Sequence, residues 1–196
     1  MLPLASGLVP APNGGRPVLW AATCRAGGVS QAPFDSLNLA SHVGDDEQDV
    51  VENRERLRRF MGGGAERLIR MDAVHGRDVG VVGDSGDGPE SVPGVDALVT
   101  RAAGLVLVAQ GADCVPVALI GAAGAAVAAV HCGWRGLVAG VLDAAIGAMA
   151  EVGVPVSRAV LGPAICGPCY PVPDERAAEV ADACEAAVAS AALVRC

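Results

Sequence analysis

The chain has 196 residues, of which 52% are hydrophobic and only 3% aromatic, and its formal net charge is −8. Its 14 basic residues are all arginine, which excludes a Walker-type phosphate loop, a Schiff-base lysine and a pyridoxal enzyme, because each of these requires lysine. The acidic charge and the scarcity of aromatic side chains argue against a nucleic-acid partner, which needs a basic surface and stacking platforms.

The N-terminal segment, residues 1–17, is rich in proline and glycine and is expected to be flexible. It lacks the basic start of a signal peptide, and the chain has an odd number of cysteines, seven. We therefore expect a cytoplasmic protein with reduced thiols, in which residues 18–196 form one domain. The apolar stretch 102–130 carries only the charge of Asp113, but glycine and proline divide it into strand-length pieces, so we expect no membrane span.

The apolar pattern alternates between strand-length and helix-length segments, which indicates an α/β fold. A turn-rich loop leads from a first strand to a helix that Asp45 or Asp46 can cap. The loop Gly83–Gly94 is expected to be a mobile flap. The predicted strands are Val18–Thr23, Leu68–Met71, Val79–Val82, Asp96–Thr100, Leu105–Ala109, Val115–Ile120, Ala125–Val130 and Ala159–Leu161. The predicted helices are Glu47–Phe60, an amphipathic one from Trp134 to Met149, and an alanine-rich one from Asp174 almost to Cys196.

Several polar residues in the first third of the chain have an ambiguous role. Asn38 and His42 lie in the turn-rich loop, where ordinary loop hydrogen bonding is the favoured interpretation. Asn53 and Arg54 fall on the apolar stripe of the first helix, where an unpaired buried arginine would be costly. Either the pair lies at the edge of the stripe and Arg54 extends to solvent, or both side chains line a site.

The side chains best suited to chemistry lie at the ends of the central strands. Asp113 and Cys114 precede one strand, and His131 follows the next, just before a helix begins. Ligands of open α/β sheets bind at such strand ends. Together with His75, the cysteine and His131 offer two imidazoles and a thiolate, a set that suits Zn²⁺ and is also acceptable to copper.

Two other interpretations stay open, because these three residues match no short metal-binding motif. Cys114 could act as a nucleophile with His131 as its base. Alternatively, it could be a buried thiol that behaves as a small apolar side chain.

A second cysteine motif, Cys166-Gly167-Pro168-Cys169, has the spacing of a thioredoxin-type redox pair. Such a pair needs its second cysteine in the first turn of a helix, and Pro171 and Pro173 would break that helix. We interpret the segment as a tight loop that closes over the site, with redox or structural-zinc roles as lesser alternatives.

The chain also carries a series of short motifs in a fixed order. They are Ser36-Leu37-Asn38-Leu39, His42-Val43-Gly44-Asp45-Asp46, Glu52-Asn53-Arg54, Val74-His75-Gly76, Asp96-Ala97-Leu98-Val99-Thr100, Ala112-Asp113-Cys114-Val115-Pro116-Val117, His131-Cys132-Gly133-Trp134-Arg135-Gly136, and Gly162-Pro163-Ala164-Ile165 with Cys169-Tyr170. In order and spacing they resemble the bacterial laccase-domain family, called multicopper polyphenol oxidoreductases and more recently treated as zinc-dependent purine nucleoside phosphorylases. The resemblance covers roughly residues 20 to 175.

The resemblance implies a single-domain, mixed-sheet α/β sandwich that is close to cysteine-hydrolase-like toxins. It implies one Zn²⁺ bound by His75, Cys114 and His131. It further implies phosphorolysis of adenosine, inosine and methylthioadenosine, with adenosine deamination as a second activity. A purine nucleoside and phosphate would then be the binding partners.

Roles for four further residues follow from the same resemblance. Asp113, next to a metal ligand, becomes a candidate acid–base residue. Arg135, together with Arg54, becomes a candidate phosphate clamp, since guanidinium groups match phosphate oxygens. Asn38, inside a matching motif, becomes a candidate substrate-binding residue.

The chain also departs from the family pattern. Members usually have glutamine at the position of Ala73, and they continue well past Cys196, so the domain is expected to be incomplete at its C-terminus. Two alternatives therefore remain beside the zinc phosphorylase. One is a copper-dependent polyphenol oxidase, which a single His₂Cys site supports poorly, and the other is an inactive remnant of the family.

Overall fold

A five-stranded sheet forms the centre of the computed structural model, which describes residues 5–10, 15, 17–62, 64–83 and 88–184. Within these ranges the strands are β1 Ala5–Val9, β2 Val18–Ala22, β3 Arg67–Asp72, β4 Val79–Val82, β5 Ser91–Pro93, β6 Ala97–Thr100, β7 Leu105–Val108, β8 Val115–Gly121, β9 Val127–Cys132 and β10 Val156–Leu161. The α-helices are α1 Glu47–Met61, α2 Trp134–Ala139, α3 Val141–Glu151 and α4 Asp174–Ala183.

The strands form three sheets. The central sheet has the order β10-β8-β9-β6-β4, with antiparallel neighbours except for the parallel pair β6 and β4. A parallel sheet has the order β5-β3-β7, and β1 pairs with β2 as an antiparallel ribbon. The predicted mixed-sheet α/β fold is therefore confirmed.

The strand β6 of the central sheet is buried on both faces. Successive side chains alternate across a strand, so β6 directs Val99 toward one layer and Leu98 toward the other. Val99 belongs to a core that includes Met149 of α3, whereas Leu98 packs with Ile69 of β3. Each such fully buried side chain contributes about 1.5–3 kcal/mol to the free energy of unfolding. The layers on both sides thus hold β6 and β9, the strands next to the site, in a fixed position.

The N-terminal segment requires a correction to the sequence prediction. Ala5–Val9 form β1, paired with β2 over its full length, so the segment 1–17 has regular structure in this part. Gly7 lies against the indole of Trp20, where a Cβ atom would come within 2.6 Å of Nε1. The glycine that suggested flexibility instead makes room for an aromatic ring.

The helix predicted from Trp134 to Met149 is divided into α2 and α3. Gly140 has φ 84° and ψ 37°, a left-handed conformation that ends α2, and its N–H donates to the carbonyl groups of Gly136 and Leu137. The break changes which side chains face the sheet, and Ile146, expected on the apolar face, is 44% exposed. No helix within the described ranges is long and apolar enough to cross a membrane.

Two other elements differ in extent from the prediction. The expected flap Gly83–Gly94 contains β5, which adds to the edge of β3. The last helix, α4, is described only to Ala183, so the predicted continuation toward Cys196 lies outside the described residues.

Candidate metal centre

His131 lies at the corner where the central sheet meets α2. It is the next-to-last residue of β9, and Gly133 separates that strand from the start of α2. Its backbone N–H donates to the carbonyl of Asp96 at 2.8 Å, which extends the antiparallel ladder between β9 and β6 by one step. The predicted position of His131, at a strand end beside a helix start, is confirmed.

The carboxylate of Asp96 organises this corner. It is fully buried and accepts hydrogen bonds from the backbone N–H groups of Val74, His75 and Gly76 at 2.7–3.1 Å. It also accepts from Nδ1 of His131 at 2.9 Å. Burial raises the pKa of the Asp96 carboxyl group, but the hydrogen bonds from His131 and the three backbone groups outweigh burial and lower that pKa overall. Asp96 is therefore an anion that holds two separate segments together.

The hydrogen bond from His131 fixes the chemistry of its imidazole. A carboxylate can only accept, so Nδ1 must carry the proton that it donates to Asp96. Nε2 is then the unprotonated nitrogen of the neutral ring, as a metal ligand requires.

His75 reaches the same place from the loop between β3 and β4. Its φ of 62° is unusual for a residue with a side chain, and the backbone hydrogen bonds to Asp96 hold that turn. Its ring meets the ring of His131 edge-on, with 4.9 Å between the centroids. Its Nε2 is 3.8 Å from Sγ of Cys114, the residue just before β8.

The three predicted ligands therefore come together. One donor atom from each of His75, Cys114 and His131 lies within 4.8 Å of the other two, and this is the one such group in the described part of the chain. Sulfur and imidazole ligands of a tetrahedral zinc ion are about 3.6 Å apart, close to the 3.8 Å between Cys114 and His75. Two imidazoles and a thiol fit Zn²⁺ well, and the imidazole of His131 has the carboxylate partner that is common for zinc-binding histidines.

Gly133 leaves the space in which these side chains meet. A Cβ atom built on it would lie 2.8 Å from Cδ2 of His75 and 2.9 Å from Sγ of Cys114. Both distances are too short for real contacts, so only glycine fits between the two ligands. The glycine is needed for its size, since its φ of −75° is open to any residue.

The surroundings of Cys114 do not favour a free thiolate. Burial raises the pKa of the Cys114 thiol, and the negative charges of Asp113 and Asp96 raise it further. The hydrogen-bond-range contact of the sulfur is with His75, not with the His131 base that the nucleophile hypothesis invoked. A bound cation would supply the positive charge that deprotonates this thiol.

Asp113 and Asn38 line a large cavity next to the centre. The cavity has a volume of about 1440 Å³ and is lined by β2, β7 and residues of β8 and β9. The side chain of Asp113 is exposed, and its carbonyl accepts from the N–H of Ile165. Asn38 donates to the carbonyl of Ala40 and to Asp45, and it accepts from the N–H of Ala40, so its amide shapes its own loop.

Arg54 and Asn53 also serve the loop that precedes α1. Nε and Nη2 of Arg54 both donate to the carbonyl of Leu39, at 3.0 and 2.8 Å. Asn53 is fully buried; it accepts from the N–H of Val29 and donates to Ser30 and to two loop carbonyls. The interpretation that both residues lie at the edge of the apolar stripe is wrong for Asn53, which lies in the core. The loop that Asn53 anchors supplies the hydrogen-bond partners of its buried amide.

Arg135 is the second residue of α2. It is exposed, and its guanidinium carbon is 4.9 Å from the ring centroid of Trp134. Arg176 of α4 stacks on the same indole at 4.7 Å. Neither Arg135 nor Arg54 lines the cavity that contains Asp113.

Sequence reasoning missed the functional importance of Asp96 and Gly133. Asp96 could have been found from one signal, since a charged residue at the start of a mostly apolar strand must find partners when that strand is buried. Gly133 carried none, because its role depends on how closely His75 approaches Cys114 in three dimensions.

Comparison with known proteins agrees with the family resemblance. The model of the family described as multi-copper polyphenol oxidoreductase laccase matches residues 19–194. A protein of Streptomyces coelicolor named purine nucleoside phosphorylase is 50% identical over 161 residues, which are 81% of this chain and 66% of that protein. One of Corynebacterium glutamicum with the same functional name is 41% identical over 167 residues, 84% of this chain and 68% of that protein.

Solved structures of similar proteins have the same fold. The crystal structure of YlmD from Geobacillus stearothermophilus matches with a TM-score of 0.73 and 36% identity, over 81% of this chain and 62% of that one. The Neisseria meningitidis protein NMB0706 matches with a TM-score of 0.71 and 32% identity, over 89% and 70%. The chain thus spans about two thirds of the length of the relatives it matches.

Proposed function

The chain belongs to the multi-copper polyphenol oxidoreductase laccase family, and on that premise we propose that it is a zinc-dependent purine nucleoside phosphorylase. The observation that carries the proposal is the meeting of His75, Cys114 and His131, with their donor atoms within 4.8 Å of one another. The names of the relatives supply the substrate class, a purine nucleoside and phosphate.

Zinc is the metal that the donor set supports best. His75, Cys114 and His131 would hold it, and three protein ligands leave a fourth position for a substrate or water. When bound, the ion would act as a Lewis acid at the reacting centre. Copper is accepted by the same donors, but a multicopper oxidase needs further ligand clusters, and the described residues contain just this one.

Asp113 is suited to move a proton next to this centre. It is exposed, it lines the cavity, and it is adjacent in sequence to Cys114. An exposed carboxylate at neutral pH can accept a hydrogen bond from a substrate hydroxyl or ring nitrogen and take up its proton. The cavity is roomy enough for a nucleoside, since ligand pockets usually measure about 300–1,000 Å³. We assign the nucleoside to this cavity, with Asn38 at its wall.

Of the two candidates for binding phosphate, neither of which lines the cavity, Arg135 is the stronger. Its guanidinium group is exposed, stacked on Trp134 and, within the described ranges, in no ion pair with a carboxylate. Arg54 already donates two hydrogen bonds to the carbonyl of Leu39. Its role is therefore to hold in place the loop that contains Asn38, and its positive charge can still attract phosphate.

The test is an assay of the purified chain with adenosine, inosine and methylthioadenosine, each with and without phosphate. Phosphate-dependent release of the free base with a ribose 1-phosphate product supports phosphorolysis, and ammonia released from adenosine supports the deaminase activity. Oxidation of a phenol by a copper-loaded chain without nucleoside turnover would favour the oxidase alternative. No turnover of any substrate by chain carrying one zinc would identify an inactive remnant.

Variants make the metal requirement specific. His75→Ala and His131→Ala should lose both the bound zinc and the turnover. His42→Ala is the matched control for metal content, because His42 is the third histidine of the chain and lies outside the ligand group. If all three variants retained zinc equally, the assignment of the centre would be wrong.

A further inference from the structure

Two thiols lie side by side on the loop between β10 and α4. Sγ of Cys166 is 3.3 Å from Sγ of Cys169, and a single 3₁₀ turn over Gly167–Cys169 holds them there. The N–H of Cys169 donates to the carbonyl of Cys166 at 3.0 Å, which closes the turn. The proposed zinc phosphorylase has no use for this pair.

Backbone hydrogen bonds hold the segment before the pair and the turn that carries it. Before the pair, the N–H of Gly162 donates to the carbonyl of Pro116, and the N–H of Ile165 donates to the carbonyl of Asp113. Within the turn, the N–H of Tyr170 donates to the carbonyl of Gly167. The thiols therefore face each other on a fixed backbone, and their approach does not depend on a chance encounter of two free segments.

Access together with a neighbouring thiol distinguishes this pair from the other described cysteines. Cys169 is exposed and Cys166 is partly exposed, whereas Cys132 is buried in the core. Cys114 faces the two histidines of the metal centre. Cys24 and Cys184 are partly exposed, and neither has another thiol in hydrogen-bond contact among the described residues.

The context is not that of thioredoxin. The turn covers three residues, and α4 begins only at Asp174, so neither sulfur lies at the N-terminus of an α-helix. The sequence argument from Pro171 and Pro173 is confirmed in this respect. What remains is a dithiol whose reactivity comes from proximity, without a helix to stabilise its thiolate.

We propose that Cys166 and Cys169 form a thiol–disulfide exchange site that reacts with low-molecular-weight disulfides. The thiolate of Cys166 attacks one sulfur of the small disulfide, forms a mixed disulfide and releases the first small thiolate. Cys169 then loses its proton to solvent and attacks the Cys166 sulfur, which releases the second small thiolate. The protein dithiol is oxidised by two electrons, and the small disulfide is reduced to two thiols.

The geometry supports both steps. A disulfide needs about 2.05 Å between its sulfurs, so the two must approach by roughly 1.2 Å, within reach of small side-chain rotations. The hydrogen bond between the two thiols raises the pKa of Cys169, as do the charge of Cys166 and burial, so Cys169 keeps its proton until the mixed disulfide has formed. Oxidation converts two polar thiols into a closed loop at the surface.

Oxidised glutathione is a suitable probe. The reduced, metal-containing chain is incubated with it, and the peptide that contains both cysteines is analysed by mass spectrometry. We expect this peptide to lose two hydrogens and carry no glutathione. Cys24 should appear as a glutathione adduct, because it has no neighbouring thiol to resolve the mixed disulfide.

Single variants identify the attacking residue. Cys169→Ser should stop at a stable glutathione adduct on Cys166, and Cys184→Ser should oxidise like the unaltered chain. The proposal is overturned if both cysteines carry glutathione, if neither reacts while Cys24 does, or if Cys166 pairs with another cysteine. It is also overturned if the pair binds a second zinc ion that both Cys166→Ser and Cys169→Ser release.

Discussion

The carboxylate of Asp96 allows the construction of the metal centre to be tested with one substitution. Asp96→Asn keeps the shape of the side chain and replaces one oxygen by an NH₂ group. Oδ1 accepts from the N–H of His75 and from Nδ1 of His131, and Oδ2 accepts from the N–H groups of Val74 and Gly76. In either orientation, the new NH₂ group faces two hydrogen-bond donors.

The magnitude follows from the donors that lose their buried acceptor, Asp96. Each such donor costs about 1–3 kcal/mol, so two of them should lower the free energy of unfolding by roughly 2–6 kcal/mol. His131 has one way to adapt, since its Nδ1 can accept from the NH₂ group if the proton moves to Nε2. That tautomer no longer offers Nε2 to a metal. Loss of a carboxylate that orients a metal-binding histidine typically weakens metal affinity by about 10–100-fold.

Two measurements check this prediction. Zinc affinity is measured by competition with a chromophoric chelator, and stability is measured by urea unfolding of the metal-free chain. Asp78→Asn is the matched control, because it removes the same charge from an exposed carboxylate of the neighbouring loop. An Asp96→Asn chain with the zinc affinity and urea midpoint of this control would refute the assigned role of Asp96.

Three further changes have outcomes that the structure defines. Gly133→Ala places a methyl group between His75 and Cys114, and elemental analysis should then find well below one zinc ion per chain. The control Gly147→Ala adds its methyl group on an open helix face and should keep the zinc content of the unaltered chain. Asn53→Ala removes the acceptor of the Val29 N–H and a partner of Ser30, and should lower the free energy of unfolding by about 2 kcal/mol or more in urea; an unchanged midpoint would contradict its anchoring role. Glu55→Gln should lower the melting temperature at neutral pH, because hydrogen bonds from Arg58 and Arg59 hold the pKa of Glu55 at about 2, below its ordinary value of 4.5. That stabilisation is present above pH 4.5 and is lost as the pH falls toward 2, so the two melting curves should converge in acid, and a constant difference would argue against the pairing.

Local sequence signals were sufficient for some of the helix starts and strands. Asp46 caps α1 through the N–H of Gln48, as its position before an amphipathic segment indicates. The apolar run of β4, Val79–Val82, was predicted with the bounds that the structure shows. Such elements depend on residues close in sequence, so periodicity and capping identify them.

Other features depend on residues that are distant in sequence. The short strand β5 exists because β3 offers it an edge, and three residues carry too little periodicity to predict a strand. The division between α2 and α3 depends on one glycine inside a continuous apolar pattern. Family motifs predicted the ligand set, but only the fold shows that the carboxylate of Asp96 joins the loop of His75 to the ring of His131.

The pairing of β8 with β9 places Val115 opposite Cys132, so Cys114 arrives beside the corner only when that register is complete. His75 comes from a different connection, between β3 and β4, and β4 is joined to β9 only through its pairing with β6. The three ligands are far apart in sequence, so an unfolded chain would not bring them together around an ion. A zinc finger differs in this respect, because its ligands are close together in the sequence. Metal uptake would come last in assembly, and its retention would report that the whole topology is intact.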